Sequence, residues 1–320
     1  MKIVILEGYT TNPGDLSWKG LEELGELEVY DRTSLTNEDE IIDRISQAEI
    51  VLTNKVPITK TVIEACPSIK YIGVLATGYN VVDVRAAQEK DIVVTNVPDY
   101  STQSVAQMTF ALLLEICQQV GHHNQAVKEG KWEEHPDWTF FDYPLLELAG
   151  KTMGIIGFGS IGQATAKIAE AMGMNVIAYN RSQSEEGKKL ATYVPLDELL
   201  EKADVVSLHI PLVEATQALI NQESISKMKE GVILLNTARG GLVDERAVAE
   251  ALNSGKIYAA GVDVVSTESI ENTNPLLKAK NVFITPHIAW ATKESRTRLI
   301  DSAVDNVKQF INGNPKNVVH

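Results

Sequence analysis

Three glycines, Gly157, Gly159 and Gly162, lie in the stretch GIIGFGSIGQA and constrain the fold more than any other feature of this sequence. An apolar strand pattern precedes them and a helical pattern follows, which is the context in which G-x-G-x-x-G predicts a dinucleotide site. The first glycine permits a tight turn, the second lets the main chain approach a pyrophosphate, and the third lets helix and strand pack closely. Ser160 and Ile161 then begin a helix whose free N–H groups and positive dipole end attract phosphate.

Apolar runs alternate with amphipathic stretches on both sides of this motif. Such runs predict strands of parallel sheets that are covered by helices on both faces. We therefore predict an α/β protein with two doubly wound parallel-sheet domains. A helical pattern over 101–130 leads into the second domain, and the helical tail is expected to return to the first. The predicted domains are 1–100 plus 291–320, which is discontinuous, and 101–290, which binds the dinucleotide.

The stretch VIAYNRSQ, residues 176–183, departs from the usual pattern of a nucleotide-binding βαβ unit. An acid commonly lies about 20 residues after the glycines and binds the ribose hydroxyls. This chain carries Asn180, Arg181 and Ser182 there instead. Arg181 and Ser182 can bind a 2′-phosphate, and no acid is present to repel it. The pattern favours NADP(H), or the use of both cofactors, although Arg181 could also stack over adenine or extend into solvent.

Four side chains suited to catalysis follow in order, each at or just beyond the carboxyl end of a predicted strand. They are Arg239 in LLNTARGGLVD, Asp263 and Glu268 in AAGVDVVSTES, and His287 in FITPHIAWAT. Hydride transfer to a keto carbon produces an alkoxide that needs a proton, which His287 backed by Glu268 is suited to supply. Arg239 could bind a substrate carboxylate through two hydrogen bonds, and Asp263 could accept one from a nicotinamide carboxamide. Together, behind the glycines, they predict an oxidoreductase site.

With these segments in order, the chain resembles the D-isomer-specific 2-hydroxyacid dehydrogenases over essentially its full length. The family pattern places N-x-x-R-G, D-V-x-x-x-E and P-H segments after the glycines, and here they begin at Asn236, Asp263 and Pro286. The resemblance implies a flavodoxin-like substrate domain and a Rossmann nucleotide-binding domain. It also implies that Arg239 binds substrate, that Glu268 orients the histidine after Pro286, and that this histidine is the acid and base.

The resemblance implies further contacts. LATGYNVVD is similar to the loop whose main-chain N–H groups hold the substrate carboxylate, here those of Thr77 and Gly78. LHIPLVEAT is similar to a segment that passes beneath the cofactor, and the segment that carries the arginine borders the cofactor as well. The implied cofactor contacts in these two segments are Ile210, Pro211, Thr216, Thr237, Ala238 and Arg239.

Two local features indicate a branch of the family. TNKVPIT, residues 53–59, and TPHIAWAT, residues 285–292, look like glycerate dehydrogenases, which are also called hydroxypyruvate reductases. Lys55 is then expected near the substrate, and Trp290 could form the wall of a small pocket; otherwise Lys55 is solvated and Trp290 packs in the hinge. We predict reduction of hydroxypyruvate to D-glycerate and of glyoxylate to glycolate.

Two alternatives stay open at this point. One is another activity of the same family, namely D-lactate dehydrogenase or glyoxylate reductase. The other is a nucleotide-sensing, corepressor-like binding protein, since this fold also serves transcriptional regulation. The acidic surface and the combined presence of Arg239, Glu268 and His287 argue against the second alternative.

Composition restricts the expected partners. A formal net charge of −14 disfavours nucleic acid and anionic membranes. Cys66 and Cys117 lie far apart, which suggests a reducing compartment without disulfides, and a cytoplasmic protein is expected. No cysteine or histidine spacing is typical of zinc, and no metal is predicted. The apolar stretch MTFALLLEI within 101–130 predicts a buried helix, covered either by its own fold or by a second subunit, and a homodimer is predicted.

Overall fold

Two parallel β-sheets organise this protein, for which a computed structural model describes residues 1–319. The chain divides into two units, each built around one of the sheets. The first unit contains Met1–Ser101 and the segment that begins at Ala291, and the second contains Thr102–Trp290. The predicted fold class, α/β with two parallel sheets, is confirmed.

The sheet of the first unit has its second strand at one edge and its first strand next to it, and every pairing is parallel. Central strands such as IVLT and YIGV are buried along their whole length, which is the composition that a strand between two covering layers requires. In chain order the elements are β1 (Lys2–Ile5), α1 (Lys19–Glu22), β2 (Glu26–Val29), α2 (Glu38–Ile45), β3 (Ile50–Thr53), α3 (Lys60–Ala65), β4 (Tyr71–Val74), α4 (Val84–Gln88) and β5 (Val93–Thr95).

The second unit contains the larger sheet, whose strand order reverses at its first strand. The elements are α5 (Thr102–Gln118), α6 (Val120–Lys128), β6 (Thr152–Ile156), α7 (Ser160–Ala171), β7 (Asn175–Tyr179), α8 (Glu185–Lys188), β8 (Thr192–Tyr193), α9 (Leu196–Lys202), β9 (Val205–Leu208), α10 (Gln222–Lys227), β10 (Val232–Asn236), α11 (Glu245–Ser254), β11 (Ile257–Val262) and β12 (Val282–Ile284). The order is β12-β11-β10-β9-β6-β7-β8. Since β6 lies between β7 and β9, the edge beyond its carboxyl end is the place where such sheets bind ligands.

The helical pattern over 101–130 forms two helices, α5 and α6, where one was expected. Gln119 between them has a left-handed backbone with φ of 50°. The Glu115 carboxylate accepts a hydrogen bond from the N–H of Gly121 at 3.2 Å, so a side chain satisfies the exposed start of α6. This interaction stabilises the break, and the apolar pattern alone gives no sign of it.

The apolar middle of α5 is buried by its own unit. Phe110, Leu113 and Ile116 belong to a core cluster with Met153 and Leu235, and α5 packs against α7, β10 and β11. Ala111 is exposed and Met108 and Leu114 are half-buried, so burial of this helix against a second subunit stays a prediction. A helix that is apolar on most sides can be buried entirely within one domain, and the sequence pattern does not distinguish the two cases.

The helical tail, α12 (Lys293–Ile311), packs within the first unit against α1 and β4. The rings of Phe310 and Tyr71 lie 4.8 Å apart, and the Arg296 guanidinium contacts both carboxylate oxygens of Asp15 at 2.7 Å. The hydrogen bonds from Arg296 lower the pKa of Asp15. Within residues 1–319, no helix combines the length and the apolar character that a membrane crossing requires.

Candidate active site

Five loops of the second unit meet at one edge of its sheet. They follow β6, β9, β10, β11 and β12, and all of these strands are parallel. The carboxyl ends of parallel strands lie at the same edge, so the glycine motif and the three segments with catalytic side chains are brought together there. The topology therefore joins residues that are more than a hundred positions apart in sequence.

The glycine loop has the geometry of a phosphate site. A Cβ at Gly157 would lie 2.5 Å from the carbonyl of His209, and one at Gly162 would lie 2.2 Å from the carbonyl of Gly157. Gly159 differs, because a Cβ there would meet no protein atom within 4 Å. It precedes Ser160 at the start of α7, where no side chain caps the helix, so a pyrophosphate fits against the free N–H groups of Ser160, Ile161 and Gly162.

The segment after β7 is tied to the glycine loop by Asn180. Its Oδ1 accepts a hydrogen bond from the N–H of Phe158 at 3.2 Å, and its Nδ2 donates to the carbonyl of Ser182 at 2.6 Å. Arg181 and Ser182 are both exposed. Asn180 therefore shapes the turn, while Arg181 points its cation away from the protein core and can contact a ligand.

The segment after β9 lies directly against the glycine loop. A Cβ at Gly157 would lie 2.5 Å from Cγ2 of Ile210, and Pro211 follows on the surface. The Thr216 hydroxyl donates to the carbonyl of Pro211 at 2.8 Å and accepts from the N–H of Val213, which closes this turn. Burial lowers the pKa of His209 to about 4, which favours the neutral ring near pH 7.

Arg239 lies on a short loop that Asn236 holds. The fully buried Asn236 side chain accepts from the N–H of Ala238 at 3.1 Å and donates to the carbonyl of Arg239 at 2.9 Å. The Thr237 hydroxyl is buried against that of Thr109, 3.0 Å away. The Arg239 guanidinium remains exposed, with Nη1 donating to the carbonyl of Ala238 at 2.7 Å. Its other donors can therefore bind an anion.

His287 and Glu268 form a hydrogen-bonded pair. Nδ1 of His287 lies 2.7 Å from Oε2 of Glu268. The two residues come from the loops after β12 and β11, which are neighbouring strands. The carboxylate orients the ring and selects the tautomer in which Nδ1 carries its hydrogen, so Nε2 is the nitrogen that can exchange a proton.

Asp263 organises the loop that carries His287. Its side chain is only 1% exposed, and its carboxylate accepts hydrogen bonds from the Thr285 hydroxyl at 2.5 Å and from the N–H groups of Ile288 at 2.9 Å and Ala289 at 2.8 Å. The N–H of His287 also donates to the carbonyl of Asp263. These bonds hold His287 in a left-handed backbone, φ of 55°, which non-glycine residues rarely adopt.

Trp290 supports the same loop from its other end. Its indole Nε1 donates to the carbonyl of His287 at 2.9 Å. Ser104 in α5 donates to the carbonyl of Ala289 at 2.5 Å, which anchors the loop to a helix of the same unit. A role of Trp290 as a pocket wall and a contact of Asp263 with the nicotinamide stay predictions.

In the first unit, Lys55, Thr77 and Gly78 lie on the loops after the neighbouring strands β3 and β4. Asn54 joins the two loops by donating from Nδ2 to the carbonyl of Leu75 at 2.6 Å. Lys55 is exposed. The main-chain N–H groups of Thr77 and Gly78 find no acceptor among residues 1–319, so they can bind an anion.

Glu7 is a buried acid that sequence reasoning missed. It is 7% exposed, and one carboxylate oxygen accepts hydrogen bonds from the N–H groups of Asn54, Lys55 and Val56. Burial raises the pKa of this carboxyl, and the backbone hydrogen bonds oppose the rise. Glu7 therefore shapes the loop that presents Lys55. Its partners lie more than forty positions away, so no local pattern could have identified it.

Asn236 was named in the sequence only as the start of the N-x-x-R-G segment, and its role in holding the Arg239 loop was not predicted. A polar residue at the end of a buried strand is a signal that could have indicated this role. No group of three or more His, Cys, Asp or Glu side chains within the described chain, residues 1–319, is arranged to hold a metal ion.

The chain is similar to known proteins both in sequence and in structure. A family model described as "D-isomer specific 2-hydroxyacid dehydrogenase, NAD binding domain" matches residues 110–289. The hydroxypyruvate reductase of Blautia hydrogenotrophica is 61% identical with full coverage of both chains, and the glycerate dehydrogenase of Methylorubrum extorquens is 41% identical with 88% of each covered. The solved structure of an acyclic imino acid reductase in complex with NADPH and D-Arg is 32% identical, with 100% of both chains covered and a TM-score of 0.86.

Gly159→Ala tests whether the glycine loop binds a dinucleotide. The added methyl group meets no protein atom, so the melting temperature of the ligand-free protein should stay unchanged. It would, however, occupy the space in front of α7, and we expect Kd for NADH and NADPH to rise by roughly tenfold or more. Fluorescence titration measures Kd. Gly162→Ala is the contrasting variant, because its methyl group would overlap the Gly157 carbonyl and lower stability as well. Unchanged affinity in stable Gly159→Ala would contradict this assignment.

Proposed function

Because the chain belongs to the D-isomer specific 2-hydroxyacid dehydrogenase family, we propose that it is an NAD(P)-dependent enzyme that reduces hydroxypyruvate to D-glycerate. Glyoxylate, reduced to glycolate, is proposed as a second substrate. The hydrogen bond of 2.7 Å between His287 and Glu268 is the observation that carries the proposal, because this chemistry needs a supported proton donor. The names of the two relatives with 61% and 41% identity support the choice of substrate.

His287 is proposed as the acid and base. In the reducing direction, Nε2 donates a proton to the substrate oxygen as negative charge develops on it. The Glu268 carboxylate stabilises the protonated ring before transfer and keeps it oriented. The nicotinamide, when bound, supplies the hydride for reduction or accepts it for oxidation. In the oxidising direction Nε2 removes the hydroxyl proton.

Arg239 is proposed to bind the substrate carboxylate. The exposed guanidinium can form two parallel hydrogen bonds with a carboxylate and can polarise the adjacent keto oxygen. The main-chain N–H groups of Thr77 and Gly78, which find no acceptor among residues 1–319, are proposed as substrate contacts. Lys55 and Trp290 are each proposed as substrate contacts. The alternatives, a lactate-type activity and a corepressor-like protein, are not favoured by the names of these relatives.

The cofactor is proposed to be NADP(H) in preference to NAD(H), with both accepted. A nicotinamide dinucleotide agrees with the matched NAD binding domain and with the NADPH complex of the imino acid reductase. The preference rests on Arg181 and Ser182, which are exposed beside the glycine loop and can bind a 2′-phosphate. The neutral side chain of Asn180, engaged with Phe158 and Ser182, does not repel that phosphate.

A homodimer is proposed, through a surface that we call the aromatic surface. It consists of the exposed apolar side chains of α6 and of the segment after it, and Trp138 and Phe141 are 86% and 70% exposed. Trp132 donates to the carbonyl of Trp138 at 2.9 Å, and Asp142, whose pKa Lys131 and His122 lower to about 2, ties this segment to α6. Exposed rings held in a fixed arrangement are typical of protein interfaces. The members are Val120, Val127, Trp132, Trp138, Phe141, Tyr143 and Leu145.

The cytoplasm is proposed as the location, with no nucleic-acid or membrane partner. Cys66 and Cys117 are both buried as free thiols, and burial raises the pKa of Cys117 to about 11. Thiols of this kind are compatible with a reducing compartment. The formal net charge of −14 disfavours nucleic acid and anionic membranes as partners.

Steady-state kinetics on hydroxypyruvate, glyoxylate and pyruvate test the proposed reaction. We expect kcat/KM to be highest for hydroxypyruvate and lowest for pyruvate. His287→Gln should lower kcat roughly 10²- to 10⁴-fold, since it removes the proton donor, while the affinity for NADPH is retained. That affinity is the control for folding. Tight cofactor binding without turnover of any keto acid would instead favour the corepressor-like alternative.

The cofactor proposal is tested by comparing kcat/KM for NADPH and NADH. The parent enzyme should favour NADPH, and Arg181→Asp should lower the NADPH/NADH ratio roughly tenfold or more, because it replaces a phosphate-binding cation with an anion. Arg85→Asp, the same charge change at an exposed position of the first unit, should leave the ratio unchanged. A parent enzyme that prefers NADH would show the proposed preference to be wrong.

Light scattering after gel filtration tests the homodimer. The parent should have about twice the chain mass of 35.1 kDa. Replacing Trp138 and Phe141 together by Ser should give a monomer, since it removes the most exposed rings of the aromatic surface. Leu35→Ser, at an exposed leucine of the first unit, is the control and should remain dimeric. A monomeric parent would refute the proposal.

A further inference from the structure

Glu245, the first residue of α11, uses its carboxylate away from its own helix. One oxygen accepts a hydrogen bond from the N–H of Ser266 at 2.7 Å. The other accepts from the Ser266 hydroxyl at 2.6 Å and from Nδ2 of Asn274 at 3.0 Å. The helix is instead capped by Asp244, whose carboxylate accepts from the N–H groups of Arg246 and Ala247. Glu245 therefore does not cap its own helix. Its carboxylate instead joins Ser266 and Asn274, which lie on another loop.

Ser266 and Asn274 lie on either side of Glu268 in the sequence. The loop leaves β11 at Val262, passes through exposed positions 266–269, and reaches Asn274 before a short 3₁₀ turn, Pro275–Lys278. Ser266 lies two residues before Glu268 and Asn274 lies six residues after it. One carboxylate thus fixes both ends of the exposed stretch that presents Glu268 to His287.

Both ends are also anchored to the rest of the unit. Asn274 is 8% exposed, and its Oδ1 accepts from the N–H of Leu276, a core residue. At the other end a Cβ on Gly240 would lie 1.9 Å from the main chain of Val265, so the loops of Arg239 and Glu268 are in direct contact. Glu245 follows the Arg239 loop in sequence and therefore connects the two catalytic loops.

We propose that Glu245 is a positioning residue for the proton-donating pair, an inference that rests on the proposed function. By accepting three hydrogen bonds from Ser266 and Asn274, it keeps the Glu268 carboxylate against Nδ1 of His287. A glutamine at this position would turn its NH2 group toward donors of Ser266 or Asn274. At least one of the three hydrogen bonds is then lost. Glu268 then spends less time beside His287, and the protonated ring loses stabilisation.

The test compares Glu245→Gln, Glu268→Gln and the double variant. We expect Glu245→Gln to lower kcat for hydroxypyruvate reduction about fivefold, with KM for NADPH unchanged. The alkaline limb of its pH profile should shift to lower pH, because the ring holds its proton less well without the carboxylate. In the Glu268→Gln background the same substitution should have almost no effect on kcat, since nothing remains to be positioned. Glu250→Gln, an exposed acid on the same helix, is the control and should match the parent.

Hydrogen exchange provides a readout that does not depend on catalysis. Amides of residues 264–275 should exchange faster in Glu245→Gln than in Glu250→Gln, with the rest of α11 unchanged. If Glu245→Gln keeps the kcat and pH profile of the parent while Glu268→Gln is impaired, only the positioning role is overturned. Equal losses of kcat in both backgrounds would also overturn it, because they indicate general damage. A fully active Glu268→Gln enzyme would overturn the proposed acid and base pair, and the positioning role with it.

Discussion

The buried carboxylate of Asp263 is the interaction on which the arrangement of the second unit's site depends. It lies at the end of β11 and accepts hydrogen bonds from a hydroxyl and two N–H groups of the loop after β12. A charge that is 1% exposed is tolerated only when such donors surround it. The donors belong to residues on both sides of His287, so satisfying the charge also sets the unusual backbone of that histidine. Stability of the loop and orientation of the ring thus have one cause.

The parallel sheet brings these loops close enough to form such hydrogen bonds. Its strands end at one edge, and the loops that leave neighbouring strands lie within hydrogen-bonding distance of each other. Glu268 and His287 come from adjacent strands, whereas the glycine loop comes from the strand at which the order reverses. The strands and the hydrogen bonds between the loops hold the reacting groups in place before a ligand binds, which reduces the loss of conformational entropy on binding.

Acidic side chains organise loops in both units. Glu7 accepts hydrogen bonds from three N–H groups of the loop that carries Lys55. Glu245 accepts hydrogen bonds from two residues of the loop that carries Glu268. In each case a carboxylate satisfies main-chain or side-chain donors that a loop without regular structure leaves unpaired. Acidic side chains of the chain therefore also serve to hold loops in place.

The sequence by itself determined the α/β class, the strand-turn-helix at Gly157 to Gly162 and the residue types of the site, because these depend on patterns spanning a few residues. It predicted one helix over 101–130, and the structure has two, since the side chain of Glu115 reaches forward to Gly121. It also predicted that the apolar middle of α5 is buried, and Phe110, Leu113 and Ile116 lie in the core of the second unit. Only the tertiary structure decided that Glu268 contacts His287 and that Glu7, Asp263 and Glu245 hold loops, because those contacts depend on strand order.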